Sequence, residues 1–419
     1  MAGLILDVTP LRRVPAYRRL WVGNALSSIG SSMTVYAVPL QVWMLTHSSF
    51  AVGLLGLAIA VPTVVVASVG GVIVDSVDRR RLVLVCTSIH AALSVVLAVQ
   101  AYGQWDRLSV LYGVTVVSSV VGGLNAPARR TFMPALLGAE QIGAGAALQV
   151  FSIHGALMVG PALAGLVTAA GGLRVCFVID ACSFAFSLYG VARLPRLTVP
   201  RGDRPGPRAI AEGFRFIGHH RPVLGALLAD ASATLFGMPV ALFPALNAER
   251  FGADPTTLGL LSTAVAVGGV LGSGLSGRTG RTDRRGLGML IAGSVWGLGI
   301  VAFGLTWSYP AALAALVLAG AADSTSVVLR TSLVQSLTPD RLRGRVTGAE
   351  LAVGMGIAQL GNTEAGAVAA VTSTTVSIVS GGLACVVAAG LIGVFVPSLA
   401  RHKASDPIEA DPSAQTSKS

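Results

Sequence analysis

Twelve apolar runs of about twenty residues each, separated by short polar segments, constrain this chain more than anything else in it. A hydrocarbon core about 30 Å thick is crossed by about twenty residues of α-helix, the form in which every backbone N–H and C=O finds its partner inside the segment. The runs fall near residues 20–45, 50–74, 82–103, 108–127, 141–170, 175–193, 222–247, 256–277, 287–306, 309–336, 346–371 and 374–397. Several exceed the bilayer thickness, which implies tilt or helix ends that extend into the cytosol. The expected fold class is an all-α membrane protein with twelve transmembrane helices.

Composition closes off the soluble alternatives. Hydrophobic residues make up 53% of the chain and charged residues 12%, whereas an ordinary globular chain carries about 25% charged residues. The net charge of +11 does not signal nucleic acid, because the arginines sit in short clusters between the runs and form no single patch. Arginine outnumbers lysine 28 to 2, a trace of a GC-rich genome more than of function. Cys86, Cys176, Cys182 and Cys385 all lie inside apolar runs and read as small hydrophobes, not as a disulfide framework. No Cys/His cluster offers a metal site, and no G-x-x-x-x-G-K-S/T run offers a nucleotide site. No cofactor and no enzyme activity are therefore expected. The first run is long, polar in places and without a small-residue cleavage pattern, so no cleavable signal peptide is expected either.

The basic residues orient the chain. With the N-terminus in the cytosol, 26 of the 30 Lys and Arg fall in inside segments and three (Arg107, Arg174 and Arg250) in outside ones. That asymmetry places both termini in the cytoplasm and favours an even number of spans. Residues 194–220 carry four prolines and many arginines, the composition of a cytoplasmic linker, with a possible amphipathic helix from Ile210 to Ile217. The organisation read from this is 1–193 as a first six-helix bundle, 194–221 as a linker, 222–397 as a second bundle, and 398–419 as a disordered cytoplasmic tail. An internal repeat agrees with two halves: Ser32, Thr34 and Pro39 recur as Ser232, Thr234 and Pro239, and Arg130-Thr131 recurs as Arg330-Thr331.

The stretch from Gly71 to Arg81, GVIVDSVDRRR, joins two of the runs. Gly71, Asp75, Arg79 and Arg80 resemble motif A of the major facilitator superfamily, G-x-x-x-D-R-x-G-R-R/K. Ser76 stands where that family prefers Arg, and Asp78 where it prefers Gly. Gly160-Pro161 followed by Gly165 resembles motif C of exporters, G-P-x-x-G-G, with Ala164 in place of one Gly. Further stretches resemble the enterobactin-exporter branch: Tyr17 to Trp21, Pro127 to Arg130, Ile179 to Phe184, Ala241 to Ala245, Leu258 to Leu261, and Leu329 through Thr338-Pro339-Asp340 to Arg345. The resemblance covers residues 10 to 397 and implies the major facilitator fold, two six-helix bundles around a midplane site. Macrolide-type and other drug exporters share much of it, so it is specific for the branch and weak for the substrate.

Ionisable residues inside a span cost about 2.5–3.5 kcal/mol each at the helix centre and mark function when retained. Asp230 and Asp323 lie in the seventh and tenth runs, which the resemblance places on the cavity wall; they are the leading proton-coupling candidates, with Glu364 a third. A structural, hydrogen-bonding role is the alternative for each. Asp180 reads as structural, while Arg330 and Glu350 lie near the cytoplasmic ends and suit a gate. Asn24, Ser28 and Ser31 share one face of the first run and, with Tyr36, Gln41 and Phe236, are candidate substrate contacts; serine also serves helix packing. By resemblance, Asp75 is expected to reach Arg129 or Arg130 and the start of the eleventh run near Val346, closing the cytoplasmic side. The expected protein is a multi-pass, monomeric exporter of the bacterial cytoplasmic membrane. It would carry a siderophore or similar small molecule, with protons as coupling ion and the lipid bilayer and substrate as partners. A multidrug or macrolide pump and a transport-inactive membrane sensor remain alternatives.

Overall fold

A computed structural model of the protein describes residues 7–194, 207–274 and 282–401; the side chains of 67–76, 207–211, 351–353 and 355 lie outside the described set. Every described regular element is helical. Among the described residues twelve long helical segments succeed one another: α1 (Pro15–Thr46), α2 (Ser49–Ser76), α3 (Arg79–Gly103), α4 (Leu108–Arg130), α5 (Ile142–Gly171) and α6 (Leu173–Ala192). Then follow α7 (Arg221–Arg250), α8 (Pro255–Gly274), α9 (Arg285–Leu305), α10 (Tyr309–Leu337), α11 (Arg343–Val371) and α12 (Thr374–Phe395). Ten helical segments among the described residues are long and apolar enough to cross a membrane. The other two long helices, α1 and α11, carry many of the polar residues discussed below.

Local chemistry sets the ends. Ser48, Asp78 and Ser373 cap α2, α3 and α12 by accepting the backbone N–H three residues on, which satisfies a donor the helix leaves free. Asp78 thus has a defined task where motif A prefers glycine: its carboxylate takes the Arg81 N–H at 2.8 Å. Proline opens α1, α7 and α10, where a missing N–H costs nothing. His47 and Gln104 end α1 and α3 in the left-handed conformation. α7 is not continuous. It runs helically to Phe236, passes through a 3-10 turn at Pro239–Leu242, and resumes at Phe243–Arg250. The side chain of Asn362 accepts the freed Ala241 N–H at 3.1 Å, as a break inside a membrane requires. Between the halves a helix at Pro207–His219 lies against the start of α11, tied by a Glu212–Arg345 ion pair. Beyond α12 the chain turns into a short helix, Pro397–Arg401, that buries Leu399.

The helix pairings repeat. In the first half α1 packs on α5 and α6, α2 on α4, and α3 on α6; in the second α7 packs on α11 and α12, α8 on α10, and α9 on α12. The halves meet through α2 against α11 and α5 against α8, two pairs that exchange when each number is shifted by six. That is the signature of an approximate two-fold axis between parallel repeats. Large apolar side chains such as Val61, Phe151, Leu166, Leu271 and Val387 face outward, the inversion expected when the surrounding solvent is lipid.

The cores differ at the two ends. At the end remote from the termini one continuous cluster joins both halves, from Met33, Ala37 and Val52 to Leu242, Leu258 and Phe303. At the other end the buried clusters of the described residues separate. Leu20, Val83, Phe132 and Val191 form one and Tyr17, Leu137 and Leu148 another, all within the first half. Val223, Met289, Leu333 and Val346 belong wholly to the second half, together with the linker residue Ile217.

Candidate functional site

Two charged centres sit inside the helix bundle. In the second half, Arg330 of α10 reaches Asp230 of α7, Nε to Oδ1 at 3.3 Å, and Glu350 of α11. The three side chains are 11%, 20% and 14% exposed. Asp323, two turns before Arg330 on the same helix, interacts electrostatically with both Arg330 and Asp230. Its surface is open although protein surrounds it on most sides, as for a residue on the wall of an internal space. One guanidinium therefore pairs with two carboxyl groups, from α7 and α11, and has a third within electrostatic range on its own helix. When all ionise, the group carries two uncompensated negative charges in a poorly solvated place.

The first half holds its arginine differently. Arg129 of α4 donates through Nε to Asn125 at 3.2 Å, through Nη1 to the side-chain oxygen of Asn24, and through Nη2 to Thr87 and Ser187 at 2.8 and 2.9 Å. All four partners are neutral oxygens, from α1, α3, α4 and α6. One storey away in the same half, Asp180 of α6 accepts from Ser31 at 3.3 Å and from Thr34 and Ser94 at 2.7 Å. Arg330 bonds groups that can titrate, and Arg129 groups that cannot.

The remaining expected site residues are placed as follows. Asn24 and Ser31 are engaged by Arg129 and Asp180, while Ser28 is half-buried on α1. Tyr36 is buried and its hydroxyl donates to the Pro255 carbonyl at 2.6 Å, from one half to the other. Gln41 is buried and accepts from Gln100 of α3 at 3.3 Å. Phe236 ends the first segment of α7 and packs partly buried against the shared core. Glu364 is half-buried on α11, about 21 Å along the helix from Glu350 at 1.5 Å per residue. It stands apart from the Asp230, Asp323, Arg330 and Glu350 group.

Gly160 lies against Ser32 of α1, whereas Gly165 crosses α8: a methyl group on it would stand 2.6 Å from the Pro255 carbonyl oxygen. Gly53 crosses α11 in the same way, with the Asn362 carbonyl oxygen 2.8 Å from where a Cβ would be. Pro161 sits between the two glycines of α5 and presents its carbonyl to Gly259. The motif C residues therefore form part of the seam between the halves. Of the motif A residues, Gly71 and Asp75 lie outside the described side chains. Arg80 donates to the Ala192 carbonyl at the end of α6, and Arg130 is exposed beside Arg129.

Sequence reasoning assigned Arg330 and Glu350 to a gate and did not join them to Asp230. The signal that linked Asp323 to Arg330, a seven-residue spacing on one helix face, was present. The partner from α11 had no such signal.

Comparison with known proteins gives the class. The fold is similar to that of a bacterial homologue of the human lysosomal transporter Spinster in an inward-facing, unoccupied conformation. The TM-score is 0.73 at 15% identity, covering 96% of this chain and all of that one. It is similar also to an inward-facing bacterial homologue of the iron transporter ferroportin, with a TM-score of 0.72 at 16% identity, covering 93% and 99%. The protein is a multi-pass membrane transporter with the major facilitator fold, of the bacterial inner membrane. More narrowly, the chain belongs to the transmembrane secretion effector family, whose model matches residues 6–417. A curated relative, the enterobactin exporter EntS of Salmonella choleraesuis (strain SC-B67), is 26% identical over 96% of this chain and 98% of its own length.

Proposed function

We propose that the chain is a proton-coupled exporter that moves a siderophore or a similar small molecule out of the cytosol by alternating access. The observation that carries this reading is the second-half centre, in which Arg330 pairs with Asp230 and Glu350 and Asp323 lies within electrostatic range. Such a group changes its net charge by binding or releasing protons and is stabilised differently in each state. Both termini lie in the cytosol, as the arginine distribution implies, and the outward direction is taken from the motif C resemblance of Gly160, Pro161 and Gly165 and from the exporter relatives. With that orientation the shared core and the crossings at Gly53 and Gly165 close the outer side, while at the cytosolic side each buried cluster of the described residues stays within one half and the linker. The two bundles, residues 1–193 and 222–397, would rock about the midplane, with Asp75 as cytosolic fastening for the opposite state. The substrate class is taken from the enterobactin exporter relatives. The transporter acts as a monomer and uses no enzyme chemistry.

The test is flux in proteoliposomes under an imposed pH gradient, with a catecholate siderophore as probe and a macrolide as competitor. Siderophore movement should follow the gradient and collapse in Asp323→Asn. Flux indifferent to the gradient refutes the coupling. Flux of the macrolide alone reassigns the substrate. Ligand binding with no flux identifies a sensor.

A further inference from the structure

We propose that Asp180 is a second proton-binding residue, located in the first half and holding its proton in this conformer. The residue is 2% exposed, on α6, and touches hydroxyls of α1 and α3. The hydroxyl oxygen of Ser94 lies 2.7 Å from Oδ2 of Asp180 and 3.1 Å from the carbonyl oxygen of His90. A serine hydroxyl has one hydrogen, and a carbonyl and an ionised carboxylate can only accept. With Asp180 ionised, that single hydrogen has to be split between the two acceptors in a three-centre bond. A proton on Oδ2 gives each contact its own hydrogen. Thr34 then donates into Oδ2 at 2.7 Å, Oδ2–H donates to Ser94, and Ser94 donates to the His90 carbonyl. The chain of donors runs one way from α1 through α6 to α3, and Ser31 completes the group by donating to Oδ1.

The surroundings favour the neutral form as well. Among the described residues, His90 of α3 is the titratable side chain in electrostatic range of Asp180. Its Nδ1 lies 3.0 Å from the Cys86 carbonyl, so that nitrogen carries the hydrogen, and its ring stacks on Phe184. α1 presents the neutral Ser31 and Thr34, and the hydroxyl of its Tyr36 is committed to Pro255. On α6, Cys176 is bonded to Thr168 of α5. Arg129 of α4 belongs to the other storey: Asn24 and Ser31, Thr87 and Ser94, and Ser187 and Asp180 are each seven residues apart, about 10.5 Å along their helices. Among the described residues an anion left there would have His90 alone in electrostatic range, a ring that also meets the Cys86 and Ser118 backbone, and a neutral acid needs no such partner.

The consequence for coupling rests on the proton-driven reading above. The proton on Asp180 joins α6 to α3, so its loss would loosen that pair while Ser31 and Thr34 of α1 still donate to the carboxylate. The proton occupancy itself does not depend on that reading. Infrared difference spectroscopy of the full chain in nanodiscs tests it directly. A protonated-carboxyl C=O band at neutral pH should disappear in Asp180→Asn and persist in Asp230→Asn and Asp323→Asn. Melting temperature should hardly change in Asp180→Asn, because the amide nitrogen donates to Ser94 as the acid does. If that variant does not fold, Ser94→Ala serves: the band should move to higher frequency as its acceptor is lost. A band unchanged in both variants overturns the proposal. So does an increase in melting temperature on adding sodium chloride that vanishes in Asp180→Asn, since the carboxylate would then hold a cation. Loss of the band in a chain that moves no substrate would keep this inference and sink the exporter reading.

Discussion

Replacing Arg330 by glutamine tests the shared guanidinium most sharply. The substitution removes the only positive charge among the four grouped side chains and leaves Asp230, Glu350 and Asp323 facing one another. The folded variant can restore its charge balance by taking up one more proton. Protonating a carboxyl group of ordinary acidity at pH 7 costs about 4 kcal/mol, at about 1.4 kcal/mol per pH unit. Removing one partner from a buried ion pair costs about 3–5 kcal/mol, so the two estimates agree. The sign follows from proton number. Near neutrality the folded variant binds one proton more than the unfolded chain, so its stability falls as pH rises and recovers as pH falls. Thermal unfolding of wild type and Arg330→Gln in nanodiscs at pH 5 and pH 8 should show a large gap at the higher pH that mostly closes at the lower. Adding Asp230→Asn and Glu350→Gln to the variant should restore much of the loss, a strong departure from additivity. A gap below about 1 kcal/mol, or one that does not change with pH, would refute the shared-charge argument.

Other outcomes follow from the same geometry. Asp230→Asn and Asp323→Asn should each lower gradient-driven flux at least about tenfold, the effect of about 1.4 kcal/mol, while substrate exchange at equal pH persists; loss of exchange as well would point to substrate binding instead. Gly165→Leu places a side chain against the Pro255 carbonyl. It should disfavour the sealed end by about 1–3 kcal/mol, read as faster labelling of a cysteine placed near Tyr36, and unchanged labelling would contradict the crossing. Arg129→Gln orphans polar groups on three other helices and should cost at least about 1–3 kcal/mol, with a smaller dependence on pH than Arg330→Gln because its hydrogen-bond partners do not titrate. Asp75→Asn should leave the protein inserted and sharply reduce transport; normal efflux would end its assignment to the gate.

Hydropathy alone located the helices, because in lipid the backbone must bond within each segment and twenty apolar residues leave few other choices. The broken course of α7 was harder to see. Pro239 and Pro244 were visible, but the Asn362 side chain that accepts the freed N–H sits 121 residues away. Periodicity placed Asn24, Ser28 and Ser31 on one face of α1 without saying which neighbour that face meets. Arg129 and Asp180 claim two of the three. Glu350 joined Asp230 for a similar reason: the register of α11 against α7 and α10 depends on packing across the bundle, which local spacing does not encode. Asp323 and Arg330 share a helix, and their relation could be read directly.

The seal between the halves also determines what can regulate it. Where α2 meets α11 and α5 meets α8, glycines bring the backbones together at Gly53, Gly165 and Gly259, and uncharged bonds join them, Thr363 to Gly53 in one seam and Thr263 to Met158 in the other. Ionic strength and acidity have little purchase on such a closure. Salt in the external medium should therefore leave it untouched, and any environmental control must act through the charged groups deeper in the bundle or at the terminal end. The seal itself would then be blind to the outer medium, and the outer pH would be felt only once the charged groups face it.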